Sequence, residues 1–200
     1  MYIMKLPGNF DTLNLRYIYP SSSFYDFPDL PSQDFVFSPD DLFPVPFSHK
    51  DIYKNSLLHF YVDDYRFESF WRNPDKYFSR LSVPRYVVSP DFSLFPGMPY
   101  ALQIYNIYRN RLLSLFMLQK GIKVIYNVRW SDPGSLEFCF LGIPQFQCLS
   151  LQCPSLPDDF FFSGWSFLIS NLKPCFILFF GKPLFKIDIP HFIYPYSYYS

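Results

Sequence analysis

The chain predicts an α/β fold: a single domain with a mostly parallel sheet, flanking helices and an irregular N-terminal arm rich in aromatic residues and proline. Three observations carry that expectation. Short apolar runs end in polar clusters at LLHFYVDD, RYVVSPD and GIKVIYNVRW, the way strands buried on both faces of a parallel sheet read. A long helical pattern, PYALQIYNIYRNRLLSLFMLQKG, separates the second of these from the third. Half of the 200 residues are apolar, which is enough for one sizeable core in one domain.

Residues 1–56 form the expected arm and residues 57–200 the α/β domain. Proline is dense in FPDLPSQDFVFSPDDLFPVPFSHK, which blocks long helices and central strands. The rings of Phe24, Phe27, Phe35, Phe37, Phe43 and Phe47 are too many for disorder, so the arm is expected to lie on the core and bury them. The first strand is expected over Leu57–Val62, with Leu58, Phe60 and Val62 on one face and Leu57, His59 and Tyr61 on the other. Asp63 and Asp64 end it, and either suits a helix cap. The following helix should stop at Asn73-Pro74, with Pro74 opening a second short one.

Arg85–Ser89 reads as the second strand. The long helix should run from Pro99 to Gln119, its buried stripe being Ala101, Tyr105, Tyr108, Leu112 and Leu115, with Lys120-Gly121 as its stop. Ile122–Arg129 is the third strand, with Ile122, Val124, Tyr126 and Val128 sharing a face. Strand, helix, strand implies parallel pairing. Later strands are expected at Leu136–Leu141, Phe146–Leu151, Cys175–Phe180 and, as an edge, Phe185–Ile189, with a helix over Asp158–Leu172. The last ten residues, HFIYPYSYYS, read as packed strand or loop.

Charge excludes some functions. With 17 basic and 17 acidic residues there is no global pull towards nucleic acid or membrane. The distribution is uneven: six acids against Lys50 alone over 26–51, and five bases with no acid over 92–131. An acidic arm ahead of a basic core suits an anion-binding core. The longest apolar runs, such as CFILFF at 175–180, fall far short of the roughly 20 residues of a spanning helix. MYIMKLPGNF lacks the apolar stretch of a signal peptide. The expectation is a protein of the cytoplasm of a bacterial host, with no membrane partner and with Cys139, Cys148, Cys153 and Cys175 reduced. Aromatics make up 23% of the chain, against one Ala, one Thr and two Glu. Because that bias looks like a thymine-rich genome, a ring counts as functional only where its position requires it.

Ligands in parallel α/β sheets bind beyond the carboxyl ends of the strands. Asp63, Asp64, Asp91, Asn127 and Arg129 all fall there. Asp63, Asp64 and Asp91 are the candidate catalytic residues, and Asp63 and Asp91 the candidate ligands of Mg²⁺ or Mn²⁺, which prefer oxygen donors and serve phosphate-ester hydrolysis. Arg129 would hold an anionic oxygen with its planar fork. Asn106 and Asn110 share a helix face three and seven residues beyond Gln103 and join Asn127 and Arg129 as candidate substrate contacts; ordinary solvent exposure is the alternative for that stripe. The blander reading of the aspartates is caps and turns. The cysteine spacing fits no zinc set, and no GxSxG, GxxxxGK[ST] or GxGxxG occurs.

Three blocks, YVDDYRFESFWRNPDKY, SPDFSLFPGMPYALQIYNIYRNRLL and GIKVIYNVRWSDPGSLEFCFLGIP, resemble the bacterial and phage family called domain of unknown function 4417, over about residues 57–144 and more weakly to the GKP at 181–183. The resemblance implies a phage or mobile-element protein with an α/β fold and assigns no catalytic residue. The family's Gly- and His-containing segment after the next strand is replaced by LSLQCPSLP. Two functions from different classes follow. One is a metal-dependent enzyme acting on a phosphate-containing or nucleic-acid substrate at the strand ends. The other is a non-catalytic protein that binds an anion or nucleic acid through a basic face of Arg109, Arg111, Lys123 and Arg129.

Overall fold

The computed structural model describes residues 11, 13–17, 19–154 and 157–195. Among these residues seven strands form: β1 (Phe43–Pro46), β2 (Ser56–His59), β3 (Tyr86–Val88), β4 (Val124–Asn127), β5 (Cys148–Gln152), β6 (Phe176–Phe180) and β7 (His191–Tyr194). They lie in one sheet in chain order, and every neighbouring pair is parallel. The α-helices among the described residues are α1 (Glu68–Arg72) and α2 (Phe78–Leu81) after β2, α3 (Tyr100–Gln119) after β3, and α4 (Asp159–Leu172) after β5.

The sheet curls until strands far apart in its order touch. Tyr61, just past β2, packs its ring on Phe180 of β6 with centroids 4.5 Å apart, and His59 meets the same ring at 4.8 Å. A flat sheet would hold β2 and β6 about 19 Å apart, four strand spacings. At the edges, the Tyr194 hydroxyl of β7 reaches the Leu42 carbonyl, one residue before β1, at 3.4 Å. The sheet is thus strongly curled, its two edge strands approaching each other without pairing among the described residues.

Alternation along the strands then sorts the core into two clusters. Leu57, Tyr61, Tyr86, Val88, Ile125, Leu178 and Phe180 fill the concave interior. Leu58, Phe60, Val87, Val124, Tyr126, Val128, Ile177 and Phe179 face the helices. The face assignments expected for β2 and β4 are those observed. Phe37 closes the interior at the strand starts, against Tyr86 and Phe176 at 5.1 and 5.3 Å. Beside it, Gln33 bonds both the amide and the carbonyl of Val124, the first residue of β4.

Several expectations need correction. The sheet begins inside the supposed arm. Amides of Phe43 and Phe47 point to β2 (Asn55 and His59 carbonyls, 3.4 and 2.8 Å), which leaves Pro44 and Pro46 on the outer edge, where no N–H is required. Of the six arm rings, Phe27, Phe37 and Phe47 are buried, whereas Phe24 is 94% exposed and Phe43 37%. Leu136–Leu141 is no strand: a 3-10 turn spans Pro133–Glu137. Its capping residue Asp132 takes the Ser135 amide at 3.2 Å and the Ser135 hydroxyl at 2.6 Å, and that local polar pairing outweighs the apolar run. Phe185, Ile187 and Ile189 pack on the outer cluster without pairing, and the edge strand forms at His191–Tyr194 instead. Ala101 is exposed and not part of the buried stripe.

Candidate functional site

Curling brings the carboxyl ends of β2 to β5 to one mouth, and a chain of polar side chains runs up to it from the interior. The Ser150 hydroxyl of β5 lies 2.7 Å from the Tyr61 hydroxyl, which donates to Asn127 Oδ1 at 2.9 Å. Asn127 Nδ2 donates to Asp91 Oδ1 at 2.7 Å, and Arg129 Nη1 to Asp91 Oδ2 at 2.5 Å. Arg129 also donates from Nε to the Leu94 carbonyl and from Nη1 to Gln152 Oε1, both at 3.3 Å. Each link is an inward position of a strand or the first residues beyond it. Alternation along β4 sets Asn127 on the concave side with Ile125 and carries Arg129 to the same side two residues later.

Burial governs the charges. The Asp91 side chain is 6% exposed and that of Arg129 32%. Desolvation pushes the Asp91 carboxyl above its ordinary value, partly offset by Arg129 and by the Asn127 amide, while the charge of Asp64 pushes it further up. Asp91 in turn raises Arg129. The Tyr61 hydroxyl is pushed well up, by burial first and then by the Asp91 charge. The Asp91–Arg129 pair is therefore a closely bonded ion pair in a poorly solvated place, costly to break by removing one member.

The loop carrying Asp91 is fastened by the polar stripe of α3. Asn110 Nδ2 donates to the Pro90 carbonyl at 2.6 Å, Asn106 Nδ2 to the Ser93 carbonyl at 2.7 Å and Gln103 Nε2 to the Met98 carbonyl at 2.8 Å. Three amides one turn apart thus hold carbonyls spaced along residues 90–98. Solvent exposure, the alternative for this stripe, does not apply: Gln103, Asn106 and Asn110 are all buried. Asn106 and Asn110 sit behind the mouth as fasteners of its loop, with their amide donors taken.

A cleft of about 370 Å³ opens at this mouth. Arg129, Gln152 and Asp91 form its polar floor, Leu94 and Pro96 one apolar side, and Trp130 and Phe161 an aromatic one. Among the described residues, Arg129 Nη2 has no hydrogen-bond partner, although Nε and Nη1 are both engaged. The Trp130 wall depends on Gly164 of α4, where a Cβ would lie 2.1 Å from the indole Nε1. Cys153 and Asp158 complete the rim. Burial pushes the Cys153 thiol up to about 12, so it stays protonated and poorly nucleophilic.

The other candidates separate. Asp63 points outward, 51% exposed and 3.3 Å from Arg66. Asp64 accepts the Ser93 amide and hydroxyl at 3.1 and 2.8 Å, a second fastener of the same loop. Among the described residues no three His, Cys, Asp or Glu side chains gather as metal ligands. The basic face also fails to assemble. Arg111 is fully buried, donating to the Leu141 and Cys139 carbonyls at 2.7 and 2.6 Å and to Asn110. Arg109 is buried between Glu68 (2.9 Å) and the Phe92 ring. Sequence reasoning passed over Tyr61, Ser150 and Gln152. The only signal for them was a polar atom at alternate positions of otherwise apolar strands.

The model of the family described as "Domain of unknown function (DUF4417)" matches residues 19–196. The chain belongs to that family. The match reaches beyond the three blocks that first showed the likeness and takes in the arm from residue 19 and all seven strands. "Gene 1 protein" of Mycobacterium phage L5 is 37% identical over 183 residues, covering 88% of this chain and 80% of the relative. "Gene 1 protein" of Mycobacterium phage D29 is 33% identical over 188 residues, covering 90% and 69%. No solved structure matches the chain. Among the described residues no helix is long and apolar enough to cross a membrane.

Proposed function

We propose that this DUF4417 protein binds a small ligand at the mouth of its curled sheet, holding a carboxylate or phosphate oxygen on Arg129. One observation carries the reading. The guanidinium is fixed by Asp91 and the Leu94 carbonyl, yet Nη2 has no partner among the described residues in a cleft with apolar and aromatic sides. A preset donor of this kind costs little to organise on binding, and a planar fork matches an oxyanion. The cleft volume lies within the usual range for small-molecule sites. The carboxyl ends of the strands are also where β/α barrels place theirs. A duplex would need an extended basic surface, and the burial of Arg109 and Arg111 leaves little of one.

Thermal-shift measurements with phenyl phosphate and benzoate test this. Wild type should gain several degrees at millimolar ligand, and Arg129→Met should gain nothing while still unfolding cooperatively. Equal shifts in both proteins would remove Arg129 from the site.

A second reading keeps Mg²⁺- or Mn²⁺-dependent hydrolysis of phosphate esters. Its support is that the charge of Asp64 acts on the Asp91 carboxyl, pushing it up. Asp64 and Asp91 would hold the ion, which would polarise a phosphoryl oxygen held by Arg129, while Asp63 lies apart with Arg66. Calorimetric titration of Mn²⁺ into wild type, Asp64→Asn and Asp91→Asn decides it: saturable binding lost in both variants is the required result.

A further inference from the structure

Resting on the Arg129 reading above, we infer that the ligand is dipolar: an aromatic or similarly flat molecule with one anionic group and one protonated amine, as in an aromatic amino acid. The charges lining the cleft carry this. Asp91 and Arg129 neutralise each other across their 2.5 Å pair. That leaves the carboxylate of Asp158, on the same rim, without a counter-charge, since no ion pair to it forms among the described residues. Asp158 is the capping residue of α4. Its Oδ1 accepts the Phe161 amide at 2.8 Å, and its exposed Oδ2 accepts nothing from the described residues.

Among the described residues, the mouth therefore offers one donor without a partner, Arg129 Nη2, and one charged acceptor without a partner, Asp158 Oδ2, beside the aromatic wall of Trp130 and Phe161. A polyanion such as single-stranded nucleic acid would meet net repulsion from this rim. A ligand carrying both charges satisfies both groups and lays its flat part on the wall. Binding at such a site reads two charges at once, so a molecule with either charge alone loses part of its affinity.

Three related probes separate the contributions: L-phenylalanine, 3-phenylpropionate, which lacks the amine, and phenethylamine, which lacks the carboxylate. Calorimetric titration into the full chain should show L-phenylalanine binding about tenfold tighter than either analogue, the usual range for a charge-assisted hydrogen bond. Asp158→Asn keeps the helix cap, because Asn caps as well as Asp. It should lower L-phenylalanine to the affinity of 3-phenylpropionate and leave the latter unchanged. Arg129→Met should lower L-phenylalanine to the affinity of phenethylamine. If 3-phenylpropionate or phenyl phosphate binds through Arg129 as well as L-phenylalanine does, or if Asp158→Asn changes nothing, the dipolar inference falls and the Arg129 reading stands. If no anion-bearing probe binds wild type, both fall.

Discussion

Acidification should destabilise this protein through His59, and the size of the effect follows from where the ring sits. His59 ends β2 on the concave side, packed on Phe180, with Nδ1 accepting the Tyr61 amide at 3.3 Å. Burial lowers its pKa from the ordinary 6.5 to about 3. The folded value lies below the unfolded one, so the associated stability is complete above the unfolded value. It is lost as pH falls through 6.5 towards the folded value of about 3. With 1.36 kcal/mol per pKa unit, moving from about pH 7.5 to about pH 5 costs about 2 kcal/mol. Urea unfolding of wild type and His59→Gln at several pH values isolates the term, because glutamine does not titrate and the remaining acids contribute equally to both. The stability difference between the two proteins should shrink by about 2 kcal/mol over that interval. Parallel curves, or an imidazole titrating near its ordinary value by NMR, would refute the buried neutral ring and with it the curl that places β6 over β2.

Three further outcomes follow from contacts in the core and the cleft wall. Gly164→Ala puts a methyl group 2.1 Å from the Trp130 indole; overpacking of this kind costs about 1–3 kcal/mol, so urea unfolding should show that loss together with altered tryptophan fluorescence. Arg111→Met keeps the volume but strips the donors from the Leu141 and Cys139 carbonyls, and unsatisfied buried acceptors should lower the unfolding free energy by about 1–3 kcal/mol. Tyr61→Phe removes the hydroxyl linking Ser150 to Asn127 and should cost about 1–2 kcal/mol by chemical denaturation, with a changed Asp91 titration seen by carboxyl-carbon NMR.

Local patterns in the sequence reached the middle of the fold. Alternation in Leu57–Val62 and Ile122–Arg129 assigned each face of β2 and β4, because a side-chain period of two leaves no other arrangement once one face must be buried. The helix expected over Asp158–Leu172 forms, with the Asp158 side chain capping it by accepting the Phe161 amide. What escaped depends on contacts distant in sequence. The curl rests on Tyr61 and His59 meeting Phe180 across the interior, and nothing local to any of these residues marks that meeting. The stripe Gln103, Asn106, Asn110 was visible as a stripe, but its carbonyl partners lie in an irregular loop whose path only the folded chain defines. Strand β1 was hidden because Pro44 and Pro46 argue against a strand unless it is known to lie at an edge. At the site, Arg129 and Asp91 were named from their positions after strands. Their pairing with each other, which leaves one guanidinium amino group for a ligand, is a property of the assembled mouth.

In the proposed site Arg129 presents that amino group to the cleft while Asp91 and the Leu94 carbonyl hold the rest of the guanidinium. The most direct test is nitrogen-detected NMR of the arginine side chains, with the Arg129 signals assigned by their loss in Arg129→Lys. Adding phenyl phosphate should displace the Arg129 Nε–H and Nη signals saturably and leave those of Arg111 in place. Signals of Arg129 that stay fixed while other arginines move would contradict it.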